Sequence, residues 1–462
     1  MSSKPGFPSC TSILYAMTMS GTALNYMLRV NLSIAIVDMT KPSNTTVNAT
    51  DNVTRFDWTN LEKNELLAIY LWGYVVSVSF GGRLADKYGG RILIGSGMLV
   101  SSVLTLFFPV VCKVHLYFAI AIRFLLGVTL GTYFPAILPM GVKWIPPLDR
   151  SKFASNLAAQ GFGVAVTLPL CGYLIHYLGW ESVFYVTGSI CLLWCVIWFS
   201  TVYDSPGSHP RISAEEKNYI ETKIKEDQKS SGENPANLPW KKLYTSLPVW
   251  AVFLAQMGNG FYHFTYTMQL PTYINDVLHF NISSNGVLSC LPFVGYYFSS
   301  LLGSYVADEM LKSKKLATFT VRRIMITISF FIPSIMMLVL AFYKMHYIAA
   351  VTLLILIHLS KGISICGYVA NAMDIAPNYS GTIFGSALVL GSLSGWVGNK
   401  VVGYLTKKHS DFESWKTVFI IISLVSAAGG LFFIIFGSGE VQEWNQVKKK
   451  VEENKETEPL NV

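Results

Sequence analysis

The chain has 462 residues, 52% of them hydrophobic and only 13% charged, with a formal net charge of +8. Ordinary soluble domains are about 25% charged, and a soluble chain of this length has nowhere to hide so much apolar surface. A cytosolic multi-domain protein is therefore excluded, and the lipid bilayer becomes the first partner to consider.

In chain order, the opening MSSKPGFPSC has no short apolar core with a cleavage site, so the first span is expected to stay in the mature protein. Crossing a hydrocarbon layer of about 30 Å takes about 20 apolar residues as a helix. About twelve such runs follow: 11–39, 64–85, 92–112, 116–140, 154–176, 181–203, 248–270, 285–308, 323–343, 347–369, 380–405 and 417–437. None alternates as a barrel strand would, so all twelve are read as helices.

Lys and Arg collect in cytoplasmic loops. Lys87 and Arg91 follow span 2, Lys143, Arg150 and Lys152 follow span 4, and Lys312, Lys314, Lys315, Arg322 and Arg323 follow span 8. Both termini and the 204–247 segment are therefore expected in the cytosol, although Lys407, Lys408 and Lys416 lie on the other side. The net charge reflects this bias and gives no reason to expect nucleic acid. After span 1 come three glycosylation acceptors, Asn44, Asn48 and Asn52, each two residues before a threonine, as a lumenal or extracellular loop can carry.

The longest polar stretch between spans, 204–247, divides them six and six. Within it Ile212–Lys225 is expected to be a helix with Ser213 as its N-cap. This gives an N-terminal bundle over 1–203, a linker over 204–247, a C-terminal bundle over 248–440 and a charged tail over 441–462. Gly81–Asp86 closes span 2 and the similar Gly303–Asp308 closes span 8, the same place in each half. Such a repeat is a mark of duplicated transporters. The seven cysteines sit in or beside spans with no metal spacing and are read as small buried hydrophobes.

The loop Gly82-Arg83-Leu84-Ala85-Asp86-Lys87-Tyr88-Gly89-Gly90-Arg91 resembles the G-x-x-x-D-K-x-G-x-R signature of the major facilitator superfamily. The resemblance implies two pseudo-symmetric six-helix bundles, a substrate site near midplane, and a conformational switch at Gly82, Asp86, Lys87, Gly89 and Arg91. Four further stretches resemble the sialin, vesicular glutamate and phosphate carrier family of anion transporters: YMLRVNLSIAIVDM in span 1, the W-x-P-P-L-D-R-S loop within Lys143–Ser151, LPTY at Leu270–Tyr273, and DIAPNYSG at Asp374–Gly381.

A cation at mid-bilayer costs about 2.5–3.5 kcal/mol on insertion scales and usually faces a cavity or a partner. Arg29, Arg123 and Lys361 lie deep within spans 1, 4 and 10, while Asp38, Glu65, Asp308 and Asp374 all lie near span ends. Deep cations without equally deep carboxylates point to an anion that comes and goes. A guanidinium suits carboxylate or phosphate because its fork bonds two oxygens at once. The resemblance implies the same role for Arg29 and Arg123. Tyr70, Tyr74, Asn259, Tyr262, Asn371 and Gln160 are candidates to line the cavity. His263 and His358 are read as packing or hydrogen-bonded residues, and Gly127, Gly131 and Pro135 as places where span 4 packs closely and bends.

Departures from the family pattern are as informative. Its fourth-span carboxylate positions hold Leu126 and Leu130, its following histidine position Leu138, its span-2 histidine position Leu67, and the seventh-span arginine of the glutamate carriers falls at Asn259. The expected function is secondary transport of inorganic phosphate or small organic anions, driven by sodium or membrane potential. The other reading is a proton-coupled, sialin-like exporter of acidic sugars. No catalytic set such as H-E-x-x-H is present, so an enzyme is not expected, nor a bound cofactor beyond a co-transported Na+ or H+. A monomer is expected. The tails carry no acidic dileucine signal, which favours the plasma membrane over a lysosomal or vesicular one.

Overall fold

The computed structural model describes residues 9–40, 54–145, 153, 159–230 and 240–445. Asn44, Asn48, Asn52 and the tail beyond Asn445 lie outside the described residues, as do the side chains of Asp86 and Leu138 and the burial of Gly82. Every regular element among the described residues is helical.

Twelve membrane-length helices or helix pairs follow in order. Spans 1 to 3 are Cys10–Met39, Asn60–Tyr88 and Gly90–Val114. Span 4 is Leu116–Gly131 continued by Tyr133–Trp144, and spans 5 and 6 are Ala159–Leu178 and Trp180–Thr201. Spans 7 and 8 are Leu247–Asp276 and Ile282–Lys312. Span 9 is Thr318–Ile326 and Ile332–Phe342, joined by a π-helical turn at Thr327–Phe331. Span 10 is Tyr347–Gly362, a 3-10 turn at Ile363–Cys366, then Tyr368–Ile375. Spans 11 and 12 are Ser380–Leu405 and Phe412–Phe436.

Nine of these, among the described residues, are apolar enough by length and composition to cross a membrane. Spans 1, 2 and 7 fall short, and they carry Asn25, Arg29, Asn64, Glu65, Gln256, Asn259, His263 and Gln269. Polar side chains in a membrane helix turn towards the bundle interior, so these three spans mark where the interior is polar. The same polarity blurred their ends in the sequence: span 2 runs 60–88 rather than 64–85, and span 7 continues to Asp276.

Local chemistry sets the helix ends. Thr59 and Glu62 form a reciprocal capping box at span 2, and Asn281 and Asp411 cap spans 8 and 12 through side-chain oxygens. Gly89 and Gly179, at φ +86° and +81°, make the tight turns from span 2 to 3 and from span 5 to 6. The linker helix is Ala214–Ser230, somewhat later than expected, and Ser213 does accept the Glu216 N–H at 3.1 Å. Glu216 in turn caps span 1, accepting from the backbone N–H groups of Cys10 (3.1 Å) and Thr11 (2.9 Å).

Span 2 packs on span 4, span 3 on span 6, and span 7 on spans 11 and 12. Spans 1–6 meet spans 7–12 along two seams, span 2 with span 11 and span 5 with span 8, and span 1 faces span 7 between them.

Candidate functional site

Arg29 sits where span 1 meets spans 2 and 4, and aromatic rings surround its guanidinium. The Cζ atom lies 4.6 Å from the Tyr26 ring centroid, 4.7 Å from Tyr74, 5.5 Å from Tyr70 and 5.7 Å from Phe134. Cation–π attraction of this kind is worth about 0.5–2 kcal/mol per ring. It steadies the charge and leaves Nε and Nη2 available. Arg29 is 5% exposed, and its Nε and Nη2 have no hydrogen-bond partner among the described residues.

Arg123 completes the cluster from span 4. It is 1% exposed, its Nη2 donates to the Arg29 carbonyl at 3.2 Å, and its Nε has no partner. The Tyr70 hydroxyl is likewise buried without a partner. Asn25 does not serve Arg29, because its amide donates to the Leu130 carbonyl at 3.1 Å. Leu126 and Leu130 are fully buried, so the apolar character read at those positions holds in three dimensions.

The cluster depends on two glycines. At the crossing of spans 2 and 4, a Cβ on Gly127 would stand 2.9 Å from the Tyr74 nitrogen and 3.0 Å from the Gly73 Cα. Only hydrogen fits at either position, and that contact brings Tyr70 and Tyr74 onto Arg29.

The C-terminal half is organised differently. Lys361 is fully buried, but its Nζ donates to Ser426 Oγ at 3.0 Å and lies 3.6 Å from the Phe330 centroid. It therefore points to spans 9 and 12 within its own bundle. Tyr262, 5.1 Å away, pairs its hydroxyl with His358 Nδ1 at 2.7 Å. Tyr266 stacks on the His358 ring at 4.7 Å, and Phe293, Tyr296 and His263 also pack against it. Asn259 donates to the Tyr368 hydroxyl at 3.1 Å. Asn371 lies further along span 10 and donates to the Ser438 carbonyl at 2.7 Å, so it does not join the others. Of the candidate lining residues, then, Arg29, Arg123, Tyr70 and Tyr74 come together, Tyr262 and Lys361 form a separate group, and Asn259 and Asn371 have partners of their own.

The loop signature folds back on its own half. The Arg91 backbone N–H donates to Asp204 Oδ1 at 2.8 Å, its guanidinium bonds the Phe199 carbonyl, and its Cζ lies 4.2 Å over Tyr203. A Cβ on Gly89 would meet the Asp204 carboxylate at 2.7 Å, and Lys87 lies over Tyr88 at 5.0 Å. Asp204 is thus a partner of this loop that the sequence reading did not identify. A second group it missed lies at the end of span 7, on the face away from the linker. There the Gln269 amide bonds Asn64 Oδ1 (2.5 Å) and Asn399 Oδ1 (2.8 Å), and Glu65 pairs with Lys400. On the linker face, a Cβ built at Gly381 or Gly385 of span 11 meets no atom of the described residues within 4 Å.

Two six-helix halves around a buried polar centre define a class of membrane carriers, and residues 18–399 match the family model of the Major Facilitator Superfamily. The chain is 34% identical to human sialin, with 95% of this chain and 92% of sialin covered. It is 34% identical to vesicular glutamate transporter 3 of Danio rerio (92% and 72% covered) and 33% identical to human vesicular glutamate transporter 2 (96% and 76%). A D-xylose-proton symporter shares its fold at TM-score 0.67 and 16% identity, covering 92% of this chain and 98% of the symporter. A bacterial homologue of the human lysosomal transporter Spinster does so at 0.61 and 12%, covering 92% and 94%. The chain belongs to the Major Facilitator Superfamily and, within it, to the anion/cation symporter family that includes sialin and the vesicular glutamate transporters. It is a multi-pass membrane transporter and not an enzyme.

Proposed function

We propose that the protein carries small organic anions across a membrane by alternating access, with the anionic group received at Arg29 and Arg123. One observation carries this reading. Four buried donors, Arg29 Nε, Arg29 Nη2, Arg123 Nε and the Tyr70 hydroxyl, lie in one cluster without partners among the described residues. A buried charged donor left unpaired costs several kcal/mol, and a carboxylate or phosphate oxygen satisfies such a cluster. The names of the relatives, sialin and vesicular glutamate transporter, favour an organic anion. Inorganic phosphate fits the same donors and is the second substrate to test.

Coupling follows from what stands beside the arginines. Proton symport usually employs a titrating carboxylate near the substrate, and here the positions that hold carboxylates in the family pattern are Leu126 and Leu130. An anion entering a cell works against about 2.3 kcal/mol per charge per 100 mV, which sodium can offset. Uptake is expected to respond to sodium or voltage more than to a pH gradient. The test is uptake of labelled organic anions and phosphate into proteoliposomes with each gradient imposed alone. Uptake driven by protons and indifferent to sodium and voltage would favour the proton-coupled, sialin-like reading.

The linker face is placed in the cytosol and the opposite face outside, in the plasma membrane, with the protein acting as a monomer. Asn44, Asn48 and Asn52 would then carry glycans, and glycosidase treatment of protein from a glycosylating cell should increase its gel mobility.

A further inference from the structure

The halves close on the face away from the linker, and the two seams close differently. Along spans 5 and 8 the backbones touch: a Cβ on Gly286 would stand 2.6 Å from the Leu168 carbonyl and 3.2 Å from the Gly172 Cα. Along spans 2, 7 and 11 the contact is made by carboxamides. Gln269 bonds Asn399 within its own half and Asn64 across the seam. Both asparagines are already oriented, since Asn64 Nδ2 donates to the Asn60 carbonyl at 2.7 Å and Asn399 Nδ2 to the Gly395 carbonyl at 2.9 Å. With its nitrogen turned to a carbonyl of its own helix, each presents its oxygen to position 269. Position 269 must supply two N–H groups, and a glutamine amide has two. All three side chains are buried. The seam is extended by the Asn60 amide on the Thr406 carbonyl (2.5 Å), the Glu65–Lys400 pair and Trp72 edge-on to Trp396 at 5.6 Å.

We propose that Gln269 is a positioning residue that holds this face shut, so that its amide sets how often the Arg29 cage opens away from the linker. Asn399 aims the amide, and the bond to Asn64 forms and breaks in each cycle. On opening, water takes over both bonding groups, and exchanging a protein bond for water bonds changes free energy little. The seam therefore closes specifically without closing tightly. The inference rests on the alternating-access reading above and concerns conformation, so it can be tested without any substrate.

Thr265 lies one helical turn before Gln269, lines the same small cavity and faces span 11 at Gly398. Thr265→Cys therefore places a thiol behind the seam. The measurement is its labelling rate by a membrane-impermeant maleimide added to the far face of sealed vesicles of known orientation, with the native cysteines as background. Labelling should be slow in the single variant and at least tenfold faster with Gln269→Glu near pH 7.5. The carboxylate is isosteric but has no N–H, and its oxygens confront two acceptors. Acidification that protonates the new carboxyl restores one donor and should slow labelling again. Every rate is taken as a ratio to Thr265→Cys alone at the same pH, which cancels the falling thiolate fraction and any effect of Glu65 and Lys400. Asn64→Leu should also accelerate labelling, and by more than Asn399→Leu. A Gln269→Glu rate that is unchanged, or raised equally at both pH values in protein eluting as a single species, overturns the proposal.

Discussion

Span 4 and span 10 are the fourth helices of their halves, and each buries one cation, Arg123 nearer the start of its helix and Lys361 at the helix break. Arg123 and Lys361 are both buried, and each helix is interrupted within about ten residues, at Thr132 and at Ile363–Gly367. What the two cations do is different. Arg123 fixes span 1 through the Arg29 carbonyl and keeps a free Nε beside Arg29's own unpartnered nitrogens. Lys361 is held by Ser426 and the face of Phe330, which the π-turn of span 9 presents to it. A rigid fork can hold one partner and still offer a donor elsewhere, whereas a compact ammonium under an aromatic ring is enclosed. Each half carries a deep cation in its fourth helix, but only the one in span 4 keeps a donor available.

The largest expected effect tests the available side. Arg29→Ala and Arg123→Ala should each lower initial uptake about 100-fold or more, in line with about 2–5 kcal/mol for one partner of a buried charge pair, at normal surface abundance. Arg123→Lys should recover only part. Full transport by either alanine variant would remove the distinction between the halves.

A smaller effect is expected at the glycine contact. Gly127→Ala forces a methyl against the backbone of span 2 and should cost about 1–3 kcal/mol as overpacking, read as a lower thermal midpoint in detergent and weaker anion binding. Gly385→Ala, whose methyl meets none of the described atoms within 4 Å, is the control and should change neither.

The smallest effect is expected at the enclosed cation. Lys361→Met fills similar volume and removes a buried charge, a change that is often neutral or stabilising. Uptake should stay within about threefold and the thermal midpoint should hold or rise. Loss of transport by well-folded Lys361→Met would put both cations in the site.

The sequence made the helices legible because a bilayer demands long apolar runs, and it singled out Arg29 and Arg123 because a deep cation is conspicuous there. It could not orient Lys361, since a residue's direction depends on about 100° of helix rotation per position; Pro333, which cannot donate to the Ser329 carbonyl, marks the π-turn at Thr327–Phe331, but the break at Ile363–Gly367 carries no proline. Gln269, Asn64 and Asn399 were hidden for another reason. A lone amide in a membrane helix resembles ordinary interhelical glue, and its significance comes from partners more than a hundred residues away. Asn371 was misplaced along the bilayer normal because its span continues past the break.

The contact between Gly73 and Gly127 bears on affinity as well as packing. Two helices touching at their α-carbons have no side chain between them to flex, so Tyr70 and Tyr74 move with span 4 as one block. Ordering aromatic side chains around a ligand usually takes about 0.5–1.5 kcal/mol per side chain from binding. Here that ordering is completed when the protein folds, so an anion received at the proposed site would meet rings already in place. Loosening the helix crossing should therefore appear as a slower, weaker capture of substrate even when every group that touches the anion is unchanged.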